Sequence, residues 1–467
     1  MPPMNIVLLG IVAYILVQLL IGMLVSRHIS SEDDYLLAGR RLGLKLGTFT
    51  VFATWFGAET CIGAAGSIYQ SGLSGGSADP FGYAACLLLM GLFFAVPLWR
   101  RKLTTLADLF RIRYSPKVER LAVLMLAPTS IMWAAAQIRA FGQVISASSD
   151  FEVEIAITIA ATVVIIYTVY GGLFADVITD LIQGIALIVG LAVLFYAVTK
   201  ANGGLAESFG AIEPSRLRLF GGGEKPPLEV IETWAIPITG SLFAQELCAR
   251  ILASRSHHVA RASCLAGGGL YLLAGSIPVF IGLLGVHLLP ELENPEQILP
   301  RLAQEHLSTF AYVLFAGALI SAILSTVDSA LLAASALVSH NLVIPLAGNV
   351  SESGKVRIAR TGVLIFGIVA YVLALYAEGV YALVEEASAF GGAPIFVVIL
   401  LGLFTRIGQA KSAAAALVVG MTVWLIGSYA LELATPYLAS LAASLIAYLS
   451  VAVWENRTLN TAAEAST

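Results

Sequence analysis

The sequence predicts an all-α integral membrane protein with thirteen transmembrane helices, and three observations lead there. Of its 467 residues, 58% are hydrophobic and only 12% charged, about half the charged share of roughly 25% in soluble proteins. Mean hydropathy is +0.87, which leaves too little polar surface to cover a water-soluble globule. The apolar residues gather in runs of about 20 or more, the length an α-helix needs to cross a bilayer. The 26 basic against 30 acidic residues give a net charge of −4, without the basic face of a nucleic-acid binder. A soluble enzyme and a disordered chain are excluded too. So is an outer-membrane barrel, whose short alternating strands give a weaker apolar signal.

Thirteen runs qualify as spans, numbered 0 to 12: near 5–26, 43–70, 79–99, 118–149, 152–172, 177–199, 231–253, 262–290, 308–345, 356–377, 379–404, 411–431 and 435–454. Span 0 follows Met4 without a basic n-region or a small-residue cleavage site, so it reads as a retained helix rather than a signal peptide. Loop charge orients the chain. Arg27, Arg40, Arg41 and Lys45 follow span 0, Arg100 to Lys102 follow span 2, and basic loops recur after spans 6, 8 and 10, while the alternate short loops are acidic or neutral. The positive-inside rule then predicts an inner (plasma) membrane protein with its N-terminus outside and its C-terminus in the cytoplasm. The expected organisation is an extra helix and cytoplasmic loop (1–42), a first half of five spans (43–200), an external loop (201–230), a second half of five spans (231–404), two peripheral spans (405–454) and a short, polar, disordered cytoplasmic tail (455–467). Cys61, Cys86, Cys248 and Cys264 each sit singly in apolar runs, which reads as core packing rather than a metal or disulfide framework.

Two spans carry the marks of interrupted helices. Span 1 holds Gly57, Gly63 and Gly66 around Trp55, Glu59 and Thr60; span 6 holds Pro237 and Gly240 ahead of Gln245 and Glu246. Unwound backbone at membrane depth survives only where it lines protein or a watery cavity. Two such spans, each first in a five-span half, point to a transporter built on inverted repeats.

Ionisable side chains inside apolar runs are Glu59, Arg139, Asp180, Glu246, Asp328, Glu385 and Glu386. Each costs about 2.5–3.5 kcal/mol at the bilayer centre, so such groups pair or face a cavity. Six acids against one base leave negative charge that pairing does not remove, as a cation pathway requires. Span 8 adds Ser325, Thr326, Asp328 and Ser329, whose oxygens share neighbouring helical faces. Hard oxygen donors in an apolar helix suit a small cation, although Ser and Thr hydroxyls also bond back to i−4 carbonyls. Trp55, Tyr83 and Trp133 fall at mid-span, where they either pack the core or meet an ammonium group by cation–π contact.

At Gly171-Gly172-Leu173-Phe174-Ala175-Asp176-Val177-Ile178-Thr179-Asp180-Leu181-Ile182-Gln183 the chain resembles the sodium:solute symporter family, of LeuT type, and the resemblance extends over nearly its whole length. It implies a 5+5 inverted repeat with broken helices 1 and 6. It also implies a first sodium site at Ala53, Phe56, Ala322, Ser325 and Thr326, and a second at Asp180 with Ser325, Asp328 and Ser329. Several stretches are most similar to the choline-transporter branch, which boxes a quaternary amine with aromatics matched here by Trp55, Tyr83 and Trp133. The chain departs from that branch at Ala244, where the branch has Trp, at Glu59 and at Arg139.

The function expected is secondary active transport: one or two Na⁺ drive uptake of a small polar solute, an amine-bearing cation or zwitterion, by alternating access. The expected substrate contacts are Trp55, Glu59, Thr60, Tyr83, Trp133, Arg139, Gln245, Glu246, Glu385 and Glu386. The alternatives are proton coupling through Asp180 or Asp328 and, from a different class, a ligand-sensing membrane protein, for which thirteen residues after span 12 leave no output domain. No nucleophile–base, metal-ligand or GxxxxGK[ST] pattern supports an enzyme or an ATP-driven pump. The expected partners are the substrate and the lipid bilayer, with no nucleic acid and no obligatory protein partner.

Overall fold

The computed structural model describes residues 31–464 except 77, 148, 150, 171–172 and 221–225, with five scattered positions before residue 31. The span expected over 5–26 and the Gly171-Gly172 pair therefore lie outside the described residues. Among those described no strand occurs; the one extended contact is an isolated bridge from Leu42 to Ser254.

The principal helices are α1 (Leu44–Trp55), α2 (Ala65–Ser71), α3 (Ala78–Arg100), α4 (Pro116–Ala147), α5 (Val153–Tyr170), α6 (Leu173–Ala201), α7 (Pro227–Ala235), α8 (Gln245–Ala253), α9 (His257–Leu288), α10 (Thr309–Val338), α11 (Glu352–Tyr376), α12 (Val380–Ala389), α13 (Gly392–Phe404), α14 (Ala410–Leu425) and α15 (Pro436–Glu464). Nine described helices are long and apolar enough to cross a membrane. Three long helices open on a serine: Ser256, Ser308 and Ser351 each accept a hydrogen bond from the N–H three residues on, satisfying one of the donors that a helix start orphans. The tail expected to be disordered from 455 instead continues α15 to Glu464. No Gly or Pro interrupts residues 455–464, so nothing stops the helix there.

Helices α4 and α10 form the centre. Their most apolar stretches are 72% and 78% buried, against 28% for α11 and α15 and 33% for α14. The poorly buried helices expose apolar rather than polar side chains, such as Leu364, Ile365 and Ile368 on α11 and Ile446 and Val453 on α15, which is the surface a hydrocarbon solvent stabilises. Around the centre, α10 packs on α4 and α6, and α1 packs on α9, α6 and α10.

Both expected interruptions are present. After α1, Phe56 leaves the helix at φ −97° and ψ 78°, and the chain restarts at Ala58 through a π-helical turn, Glu59–Ala64, that leads into α2. In the other, α7 runs into a π-helical turn, Ile236–Gly240, and residues 241–244 are non-helical before α8 begins. The departure thus comes after Pro237 and Gly240, not at them.

Candidate functional site

The break after α1 exposes backbone groups that side chains then satisfy. Glu59 Oε1 accepts from Gly57 N–H at 3.2 Å, and Gln137 Oε1 on α4 accepts from Ala58 N–H at 2.9 Å. Gln137 Nε2 in turn donates to Glu59 Oε2 at 2.6 Å. The Glu59 carboxylate therefore reaches back to the N–H ahead of the restarting helix, as the acidic member of a capping box does. Gly57 is required here: a Cβ on it would stand 2.6 Å from Thr326 Oγ1 and 2.7 Å from Gln137 Oε1.

Thr326 reaches the same break from α10. Its hydroxyl lies 3.1 Å from the Ala53 carbonyl oxygen and 3.2 Å from that of Ala322. Phe56 is the residue at which the helix opens. Ser325 donates instead to Asp180 on α6, which also accepts from Thr50 on α1. Asp328 accepts from Thr168 on α5, and Ser329 donates to Asp176 at 2.8 Å. The hydroxyls of α10 thus fan out over α1 and α6, and its Asp328 carboxylate meets α5.

Trp55, Tyr83 and Trp133, from three different helices, form a closed triangle with ring centroids 5.4, 5.5 and 5.8 Å apart. Tyr83 Oη is 2.9 Å from Ser388 Oγ on α12, and Ser241, in the second break, donates to the same Ser388 at 2.8 Å. Thr60 donates to Asp79, which also accepts from Tyr271 Oη at 2.9 Å. A separate cavity of about 580 Å³ is lined by Gly63, Arg139, Gln143, Glu296, Tyr381 and Glu385, among others. Glu296, in the loop after α9, accepts from Val380 N–H at 2.6 Å and from Gln143 Nε2 at 3.0 Å, tying that loop to the start of α12 and to α4. Burial raises the Glu296 carboxyl above its ordinary range, against the Val380 N–H and Arg139, which lower it.

Residues 35–420 match the profile of the Sodium:solute symporter family. The chain belongs to that family. Its similarity to the High-affinity choline transporter 1 of Drosophila melanogaster is 28% identity over 403 residues, 81% of this chain and 64% of that protein. The chain thus spans less than two thirds of the fly relative. With the High affinity choline transporter 1 of Homo sapiens it shares 28% identity over 438 residues, 89% of this chain and 75% of the human one. The solved substrate-bound outward-open state of a Na⁺-coupled sialic acid symporter has the same fold, with a TM-score of 0.85 at 19% identity, covering 96% of this chain and 97% of that one. Family and relatives are carriers, not enzymes, and the apolar helices make this symporter-family member a multi-pass membrane protein.

In this symporter-family chain several expected contacts serve the scaffold. Gln245 accepts from Leu106 N–H at 2.8 Å. Arg139 donates to the carbonyls of Ala374 and Glu378, at the end of α11. Glu386 accepts from Tyr429, away from the aromatic triangle. The count of one intramembrane base also needs correction. Arg250, on α8, is buried, pairs with Asp176 and stands 4.0 Å from Asp180. Asp79 and Asp176 join the buried acids. Arg250 lies near the end of an apolar run that leads into basic loop residues, so its sequence position reads as cytoplasmic; Asp176 and Asp79 stand at the starts of such runs.

Proposed function

We propose that the protein is a sodium-coupled symporter that imports a small polar organic solute carrying an amine, either a cation or a zwitterion, by alternating access. One observation carries the reading: on a chain of this family, the Thr326 hydroxyl meets the Ala53 and Ala322 carbonyls beside the opened turn at Phe56–Gly57. Three hard oxygens from two helices, next to backbone released from helical bonding, suit a cation that must shed its hydration shell. An ion held there, with Ser325 close by, ties α1 to α10. A second ion, where one is carried, uses Asp180 with Ser325, in the region that also holds Ser329 and Asp328. The solute reaches the Trp55–Tyr83–Trp133 triangle from the cavity bounded by Arg139 and Glu385. With the N-terminus outside and the C-terminus in the cytoplasm, each Na⁺ moving inward down 100 mV supplies about 2.3 kcal/mol.

A thermal-shift screen of the purified protein with small solutes, in NaCl and in KCl, tests this. A solute that stabilises only with Na⁺ gives the expected linkage, since a ligand of the native state raises stability by mass action. Stabilisation that ignores Na⁺ and follows pH would replace sodium coupling with proton coupling.

A further inference from the structure

A second, smaller cavity lies between the two breaks. Its walls are Thr54 and Trp55 at the end of α1, Trp133 on α4, and Ala244 and Glu246 at the start of α8. Three polar atoms on these walls make no hydrogen bond within the described residues: Thr54 Oγ1, Trp55 Nε1 and Glu246 Oε1. All three residues are more than nine-tenths buried, with Thr54 and Trp55 each 2% and Glu246 7% exposed. Buried polar groups without partners are rare because each loses its hydration for nothing. Three around one cavity point to a ligand. No Lys, Arg or His among the described residues stands within ion-pair distance of the Glu246 carboxyl, whose hydroxyl neighbour is Ser130. Arg250, one turn further along α8, acts on that carboxyl only from a distance: its guanidinium is spent on Asp176 and Ser329, with a long contact to Glu246's own backbone oxygen.

We infer that this cavity seats a protonated primary or secondary amine of the transported solute, with Glu246 as its anionic partner. The inference rests on the symporter reading and narrows its substrate class. The space is about the size of one water, which is also the size of an ammonium head and smaller than a trimethylammonium. The unpartnered atoms set the polarity. Glu246 Oε1 accepts an N–H, the Thr54 hydroxyl oxygen accepts another, and the rings of Trp55 and Trp133 supply the cation–π face. A quaternary nitrogen has no N–H and satisfies neither oxygen. Trp55 Nε1–H needs an acceptor in return. A hydroxyl or carboxylate oxygen a few bonds from the nitrogen provides it, so the solute class is a small amino alcohol or amino acid with a free N–H.

The test uses the full-length protein in detergent, with matched probes that differ only in N-methylation: ethanolamine against choline, and glycine against trimethylglycine. Thermal shifts are read in NaCl and KCl, for the wild type, Glu246→Gln and the cavity-filling Ala244→Leu. The expected result is Na⁺-dependent stabilisation by an N–H member of a pair and at least about tenfold weaker binding of its quaternary partner. Glu246→Gln is expected to weaken the N–H ligand by about tenfold or more, and Ala244→Leu to abolish its effect, with stabilisation by Na⁺ alone kept in both variants. Equal or tighter binding of the quaternary member overturns the inference, as does an unchanged affinity in Glu246→Gln or no response to any probe. Stabilisation by Na⁺ alone reports separately on the symporter reading: its absence in the wild type sinks that reading, and its presence without an amine effect sinks only this one.

Discussion

Two buried polar regions flank α1, and they differ in how their charge is met. Toward α6 and α10, Asp176 and Asp180 share the single guanidinium of Arg250, and hydroxyls of Thr50, Ser325 and Ser329 fill in around them. Toward α4 and α8, Glu246 has a hydroxyl neighbour and, among the described residues, no cation within ion-pair distance, Arg250 acting on it only from a turn away; Thr54 Oγ1 and Trp55 Nε1 beside it have no hydrogen-bond partner there. A carboxylate already paired within the protein stabilises the packing of the helices that carry it. One left without a cation in a low-dielectric site retains its attraction for a cation from outside. The difference separates a region whose charge is largely met by the protein, leaving room for at most a small cation among its hydroxyls, from one whose carboxylate is open to a solute.

The strongest way to break this contrast is to remove the shared cation. Arg250→Met leaves Asp176 and Asp180 uncompensated, and a loss of about 3–5 kcal/mol is expected for a disrupted buried pair, read as a lowered thermal midpoint. A shift below about 1 kcal/mol would mean that the guanidinium contributes little to the tie between α8 and α6. Next comes Gly57→Ala. Its Cβ would press on Thr326 Oγ1 and Gln137 Oε1, so about 1–3 kcal/mol of overpacking and loss of stabilisation by Na⁺ are expected. A sodium titration followed by melting temperature checks both.

Smaller and more selective effects sharpen the comparison. Ser325→Ala or Thr326→Ala is expected to raise the half-saturating sodium concentration by about tenfold, the effect of one lost ligand-directed oxygen, with expression unchanged. Identical sodium curves for wild type and both variants would remove the proposed ion position. The smallest change concerns Glu296. Its folded-state carboxyl is raised by burial, so the folded protein holds this proton more tightly than the unfolded chain. Stability therefore falls as pH rises from the ordinary carboxyl range through the raised one. Glu296→Gln is expected to flatten that slope in a melting-temperature profile against pH; an unchanged slope would assign it to another group.

Much of this was legible because a bilayer imposes a one-dimensional rule. Apolar runs such as 308–345 and 356–377 reappear as helices near their expected bounds, since length and hydropathy alone decide whether a segment spans. The glycines of span 1 were legible as a group but not in their separate roles. Gly57 is at the break, whereas Gly63 lies against the Tyr381 backbone and Gly66 against Pro295, where a Cβ would come within 3.3 Å and 3.0 Å. Close approach and helix interruption both favour glycine, so composition does not separate them. In span 6, Pro237 and Gly240 marked a loosened π turn, while the true break needed only Ser241 to Ala244, an unremarkable string.

The sequence by itself determined that the chain lives in lipid, where several of its described helices fall, which family it resembles, and that acids and hydroxyls crowd its middle. These are properties of composition and local periodicity, which no packing arrangement alters. Only the tertiary structure decided the partners. It gave Glu59 to the restart of a helix, Arg139 to the end of α11, and Arg250 to two aspartates it never neighbours in sequence, and it left Glu246 facing a cavity. In a low-dielectric interior the consequence of a charge depends on what stands within a few ångströms of it. That distance is set by helices packing across the bundle, far apart along the chain.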